Sequence, residues 1–140
     1  MDNRRDFIKK TTLASTGVVV GASAFSAKSY GNIMGANDRV VLGSIGVRGR
    51  GSDLLENFSE MYDNGVRIKT VCDVDSAVLG DNVKTATKNQ KGNKPGTEED
   101  MRRVFEDKEI DAVVVAVPNH WHALATIWAC QAGKHVYVEK

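Results

Sequence analysis

The sequence predicts an α/β fold, a parallel sheet with helices on both faces, incomplete at its C-terminal end. Three observations carry this. Short apolar runs alternate with segments whose apolar residues recur at helical spacing, as in strand–helix–strand units with right-handed crossovers. A glycine cluster, Gly46 to Gly51, stands between the first strand and the first helix. The run Ala112 to Val117 is apolar at every position, as a parallel strand covered on both faces must be.

The chain of 140 residues allows one domain, and 41% hydrophobic with 26% charged residues is an ordinary globular balance. A formal net charge of +1 gives no electrostatic case for nucleic acid. No apolar run is long enough for an ordinary transmembrane helix. The two cysteines, Cys72 and Cys130, both fall in apolar segments and read as buried, inert core thiols rather than a disulfide framework. Three histidines without ligand spacing imply no metal site.

Residues 1–30 read as an address. Arg4, Arg5, Lys9 and Lys10 form a basic start, Thr11 to Phe25 is weakly apolar, and Ala22, Ala24 and Ser26 offer small-residue cleavage sites. The pair Arg4-Arg5 followed by Phe7, Ile8 and Lys9 resembles the twin-arginine signal of bacterial exported proteins. That resemblance implies a periplasmic or otherwise exported protein, with the twin-arginine export machinery as a partner. Residues 31–38, with Gly31, Asn32, Gly35 and Asn37, read as a linker, and residues 39–140 as the domain.

Within the domain, Arg39 to Ile45 is a strand. Leu54, Leu55, Phe58, Met61 and Tyr62 mark one face of a helix ended by Asn64-Gly65. Val66 to Asp73 is the second strand, and Asp75 with Ser76 can cap a helix over about Ala77 to Lys88. Gly92 to Thr97 is polar and carries Pro95, so an extended edge segment is the most it can form. Thr97 to Asp100 opens a third helix, its acids favoured by the dipole, and Met101, Val104 and Phe105 are its buried face. After the strand at 112–117, a helix runs from about His122 to Ala132 and stops at Gly133. His135 to Glu139 is the last strand. The strands at 112–117 and 135–139 are expected beside the first.

The glycine cluster gives this α/β frame a Rossmann-type, dinucleotide-binding character. Gly46, Arg48 and Gly51 align with G-x-G-x-x-G and fail only at Arg48. The first glycine permits a tight turn, the middle one lets backbone approach a pyrophosphate, and the last lets helix pack on strand. At the middle position, either the charge of Arg48 partly replaces that approach or the pyrophosphate rides higher, with Gly49 relieving the loop. Amides at the helix start then bind phosphate, and Arg50 is a phosphate neighbour or solvated. Asp73 ends the second strand roughly 20 residues on, where an acid accepts from ribose hydroxyls and repels a 2′-phosphate. NAD is therefore expected, with NADP disfavoured. Asp75 is the better cap and Asp73 the better ribose acid.

Two further segments carry a resemblance. Pro118-Asn119 with His122, and Glu139-Lys140 after Gly133-Lys134, are similar to the P-N-x-x-H and E-K-P segments of the glucose–fructose oxidoreductase, inositol dehydrogenase and MocA (Gfo/Idh/MocA) family. The resemblance covers Val40 to Lys140. It implies an NAD(P)-dependent oxidoreductase acting on a carbohydrate-like hydroxyl compound. Pro118 and Asn119 would border the cofactor ribose. Glu139 and Lys140 would lie beside the nicotinamide ribose, with Lys140 the catalytic group that tunes proton transfer. His122 reads either as a helix-start residue or as a pocket wall. His120 reads as a loop residue, His135 as structural, and Trp121 and Trp128 as packing anchors.

Members of that family add a substrate domain that the chain is read as lacking. It is therefore expected to be truncated, to bind a nucleotide without turnover, and to form a homo-oligomer only with the missing part. Two alternatives to net sugar oxidation stay open. One is NAD-dependent glycoside cleavage within the same family. The other is a non-catalytic nucleotide-binding fragment.

Overall fold

The computed structural model describes residues 39–140. The expected address and linker, residues 1–38, lie outside the described residues. The sheet has five strands in the order β3-β2-β1-β4-β5, all parallel. They are β1 (Val40–Ile45), β2 (Val66–Cys72), β3 (Gly96–Glu98), β4 (Ala112–Val115) and β5 (His135–Val138). The helices are α1 (Arg50–Glu60), α2 (Ser76–Asn89), α3 (Met101–Glu106) and α4 (Asn119–Gln131).

Alternation along the strands, with one register shift between β1 and β2 after Leu42 and Ile68, divides the core into two layers. Leu42, Ile68, Val71 and Val114 pack with Leu54, Leu55, Leu79 and Val83 of α1 and α2 on one face. Ile45, Cys72, Val113 and Val115 pack with Val104, Phe105, Ala125 and Ala129 of α3 and α4 on the other. The sheet is thus covered on both sides, and Val113, Val114 and Val115 are all buried, as the unbroken apolar run required. Gly43 sits in β1 where a Cβ would come within 2.4 Å of Val104, so its missing side chain lets α3 close onto the sheet.

Several boundaries differ from the sequence reading. Met61 and Tyr62 belong to a 3₁₀ turn, Met61–Asn64, that follows α1, and Gly65 closes it at φ 88°. Met61 is exposed there, because the tighter turn rotates it off the helix face. Thr97 and Glu98 do not open a helix. They pair with Val71 and Cys72 as the edge strand β3, and α3 starts after Asp100, whose carboxylate caps Arg102 N at 3.0 Å. β5 lies beyond β4 at the sheet edge and does not touch β1. α4 begins at Asn119, which puts His120 on its first turn rather than in a loop. Cys130 is exposed, not buried, since Ala125 and Ala129 take the inward positions of α4. Cys72 is buried, and burial followed by the charge of Asp73 pushes its thiol up to about 12.

Candidate functional site

The C-terminal ends of β1, β2 and β4 open onto a cavity of about 940 Å³. Gly46, Arg48, Asp73, Asp75, Pro118 and Trp121 are among its walls. In open α/β sheets this crevice is where ligands bind, because crossovers leave the first and fourth strands toward opposite faces.

Two glycines bring the three strand ends together. Gly46 has φ 79°, and a Cβ there would stand 2.7 Å from the Ala116 carbonyl oxygen. Gly46 N donates to the Cys72 carbonyl at 2.8 Å, which pins the turn to β2. A Cβ on Gly51 would fall 2.0 Å from the Gly46 carbonyl oxygen, so only glycine lets α1 begin this close to the turn. Gly49 is different. It has φ 48°, and among the described residues nothing lies within 4 Å of a would-be Cβ at the start of α1. The amides of Arg48, Gly49 and Arg50 have no backbone partner among the described residues. That is a cradle suited to phosphate oxygens at a helix N-terminus.

Asp73 is wired into this loop. One carboxylate oxygen accepts from Val47 N and the other from Asp75 N, both at 2.9 Å. Each oxygen keeps lone-pair capacity for a further donor. Asp75 has two tasks. One oxygen caps α2 by accepting from Ala77 N at 2.9 Å, and the other pairs with the Arg48 guanidinium. Arg48 is the first cause, and the Ala77 amide the second, holding the Asp75 carboxyl below its ordinary range.

Asn82 is a residue the sequence reading missed. It is buried on α2, and its amide donates to the carbonyl of Val47 at 3.0 Å while its oxygen accepts from Ser52 Oγ at 2.7 Å. It therefore fixes both sides of the glycine loop. Nothing but its spacing among polar helix residues distinguished it in the sequence.

The remaining residues fall into two groups. Pro118 lines the cavity and precedes α4, while Asn119 is the first residue of that helix. His122 Nε2 donates to the Val117 carbonyl at 2.6 Å, so its ring braces the segment leaving β4 rather than lining the cavity. Trp128 packs against the core, whereas Trp121 is exposed and, like Trp128, borders the cavity. Glu139 is held at the end of β5 by its amide, which donates to the Val115 carbonyl at 2.9 Å. Its carboxylate lies 3.4 Å from Arg50 Nε and is kept below its ordinary range by the Lys140 amide, then by Arg50. Arg50 thus links the glycine loop to Glu139 and the adjoining exposed Lys140.

Comparison with known proteins identifies the family and the fold. The model of a family described as an oxidoreductase family with a NAD-binding Rossmann fold matches residues 16–140. A glycosyl hydrolase family 109 protein of Shewanella pealeana is 31% identical over 98% of this chain and 33% of its own length. An alpha-N-acetylgalactosaminidase of Shewanella oneidensis is 30% identical over the same shares. The crystal structure of a NAD binding oxidoreductase from Klebsiella pneumoniae matches 73% of this chain and 27% of that one, with TM-score 0.56 and 26% identity. The chain spans about a third of the length of the curated relatives it matches.

Proposed function

We propose, on the premise that this chain belongs to the Gfo/Idh/MocA family of oxidoreductases with a NAD-binding Rossmann fold, that it forms the dinucleotide-binding part of an enzyme acting on a sugar, polyol or related hydroxyl compound. The observation that carries this is the built cradle: Gly46 and Gly51 at van der Waals limits, open backbone at Gly49, and Asp73 at the end of β2. The residues fit a dinucleotide. Arg48 to Arg50 offer amides to the pyrophosphate, and Asp73 accepts from the adenosine ribose hydroxyls. Pro118, Asn119 and the His122-braced turn border the cofactor ribose. Lys140, beside Glu139 at the end of β5, holds or releases the proton of the substrate hydroxyl. When bound, NAD supplies the hydride acceptor.

Asp73 tests this reading. Titration calorimetry is expected to show NAD bound more tightly than NADP. Asp73→Asn, which keeps an acceptor for Val47 N but loses the one for Asp75 N, should weaken NAD about tenfold or more and narrow the preference, since a hydrogen bond to a charged group contributes roughly 1.5–3 kcal/mol. Equal affinity for both cofactors in the unaltered chain would overturn the ribose assignment.

A second reading is redox-neutral glycoside cleavage, in which retained NAD is reduced and reoxidised within one turnover. The names of the Shewanella relatives favour it. Release of an aglycone from a sugar glycoside without NADH accumulation separates it from net oxidation.

The same proposal extends to export by the twin-arginine route, on the strength of Arg4-Arg5 before a weakly apolar stretch. Replacing both by lysine should leave the protein in the cytoplasm, as read by cell fractionation. Unchanged export would remove the assignment.

A further inference from the structure

Arg48 stands where the glycine motif calls for glycine, and it spends its charge on Asp75. The pair bridges the glycine loop and the β2–α2 turn across the cavity wall that also holds Asp73. Both partners are solvent-accessible, with side chains 65% and 38% exposed. The Asp73 carboxylate and this ion pair are joined through backbone: Asp73 accepts from the amide of Val47, next to Arg48, and from the amide of Asp75 itself. Two carboxylates and one guanidinium therefore share the position where the ribose hydroxyls of a dinucleotide would rest, and the local charge sums to negative.

We propose that Asp75 is a specificity-determining residue that neutralises Arg48 and so denies a 2′-phosphorylated dinucleotide the cation that would otherwise hold it. The inference rests on the dinucleotide reading of the cavity. A guanidinium beside a ribose is the usual partner of a 2′-phosphate, and Arg pairs with phosphate bidentately. Here that guanidinium is present but engaged, and its partner adds like-charge repulsion toward an incoming dianion. Discrimination is thus divided between two acids. Asp73 holds the ribose hydroxyls, and Asp75 disarms the neighbouring arginine.

The test is Asp75→Ser, because serine keeps the N-cap acceptor for Ala77 N while removing the charge. Asp75→Asn serves as a second uncharged cap. NAD and NADP are titrated against each protein, and a thermal melt confirms folding. The expected result is a roughly tenfold rise in the ratio of NADP to NAD affinity, carried by a gain for NADP. Adding Arg48→Ala should erase the gain. Unchanged NADP affinity in both folded single variants, or a gain that survives loss of Arg48, overturns the inference while leaving the NAD site intact. An unaltered chain that binds neither dinucleotide overturns the functional reading together with it.

Discussion

Gly51→Ala is expected to destabilise the domain by about 2–3 kcal/mol, the upper part of the roughly 1–3 kcal/mol typical of forced overpacking. The added methyl would meet the Gly46 carbonyl oxygen at 2.0 Å, and that atom is backbone already fixed by the turn and by Cys72. Relief requires α1 to slide away from β1, which breaks its packing through the buried Leu54 and Leu55 and moves the open amides at its start. A melting midpoint lower by roughly 4–8 °C per kcal/mol is expected for a domain of this size, with NAD affinity reduced more than tenfold. Gly80→Ala is the control. It lies on α2 with nothing among the described residues within 4 Å of a new methyl, and should stabilise by about 0.5–1 kcal/mol. Equal melting of the two variants would show that the close approach of α1 is not required.

A comparable loss, about 3 kcal/mol, is expected for Gln90→Leu. Gln90 is fully buried at the end of α2. Its side-chain oxygen accepts from Ile68 N at 2.6 Å and its nitrogen donates to the carbonyls of Ile68 and Asn93 at 3.1 Å. The reason lies in the sheet. β3 pairs with β2 only from Thr70 to Cys72, so among the described residues the outer edge of β2 at Ile68 has no strand beside it. The Gln90 amide stands in for the absent peptide group. Leucine would fill the space but orphan a buried donor and acceptor, at about 1–3 kcal/mol for each group left unsatisfied. Chemical denaturation measures the effect, and a midpoint within error of the parent would refute the substitution of side chain for strand.

These two positions mark how far the sequence could be read. The alternation of elements, the covered strand at Val113 to Val115, the turn glycine Gly46 and the cap at Asp75 were legible, because each follows from a local rule of period, composition or backbone conformation. The family resemblance rested on residues at the ends of β4 and β5 for the same reason. Gln90 and Asn82 were not legible. Each is a polar residue in a helix whose importance depends on which backbone group faces it across the fold, and no local pattern encodes that. The pairing of Arg48 with Asp75 was hidden likewise. The sequence marked Arg48 as a departure from the glycine rule and Asp75 as a cap, but only folding sets one beside the other. Cys130 was misjudged because an apolar helix at a sheet margin need not be covered all round, and α4 buries chiefly its alanines.

The strand order also sets a timetable. β1 is the centre of the sheet, yet its two neighbours arrive far apart in the chain. Val66 to Cys72 follows closely, whereas Asp111, whose carboxylate takes the Val41 amide, stands 70 residues away in sequence. Among the described residues no pair of strands can close through a hairpin, since each connection is a parallel crossover. Loop closure must therefore be paid before most of the sheet is rewarded, which places such a domain among the slower folders of its size. As the chain emerges during synthesis, β1, β2 and α1 can assemble early. The apolar edge of β1 then waits for β4, and the glycine loop cannot be fixed against Ala116 until it comes.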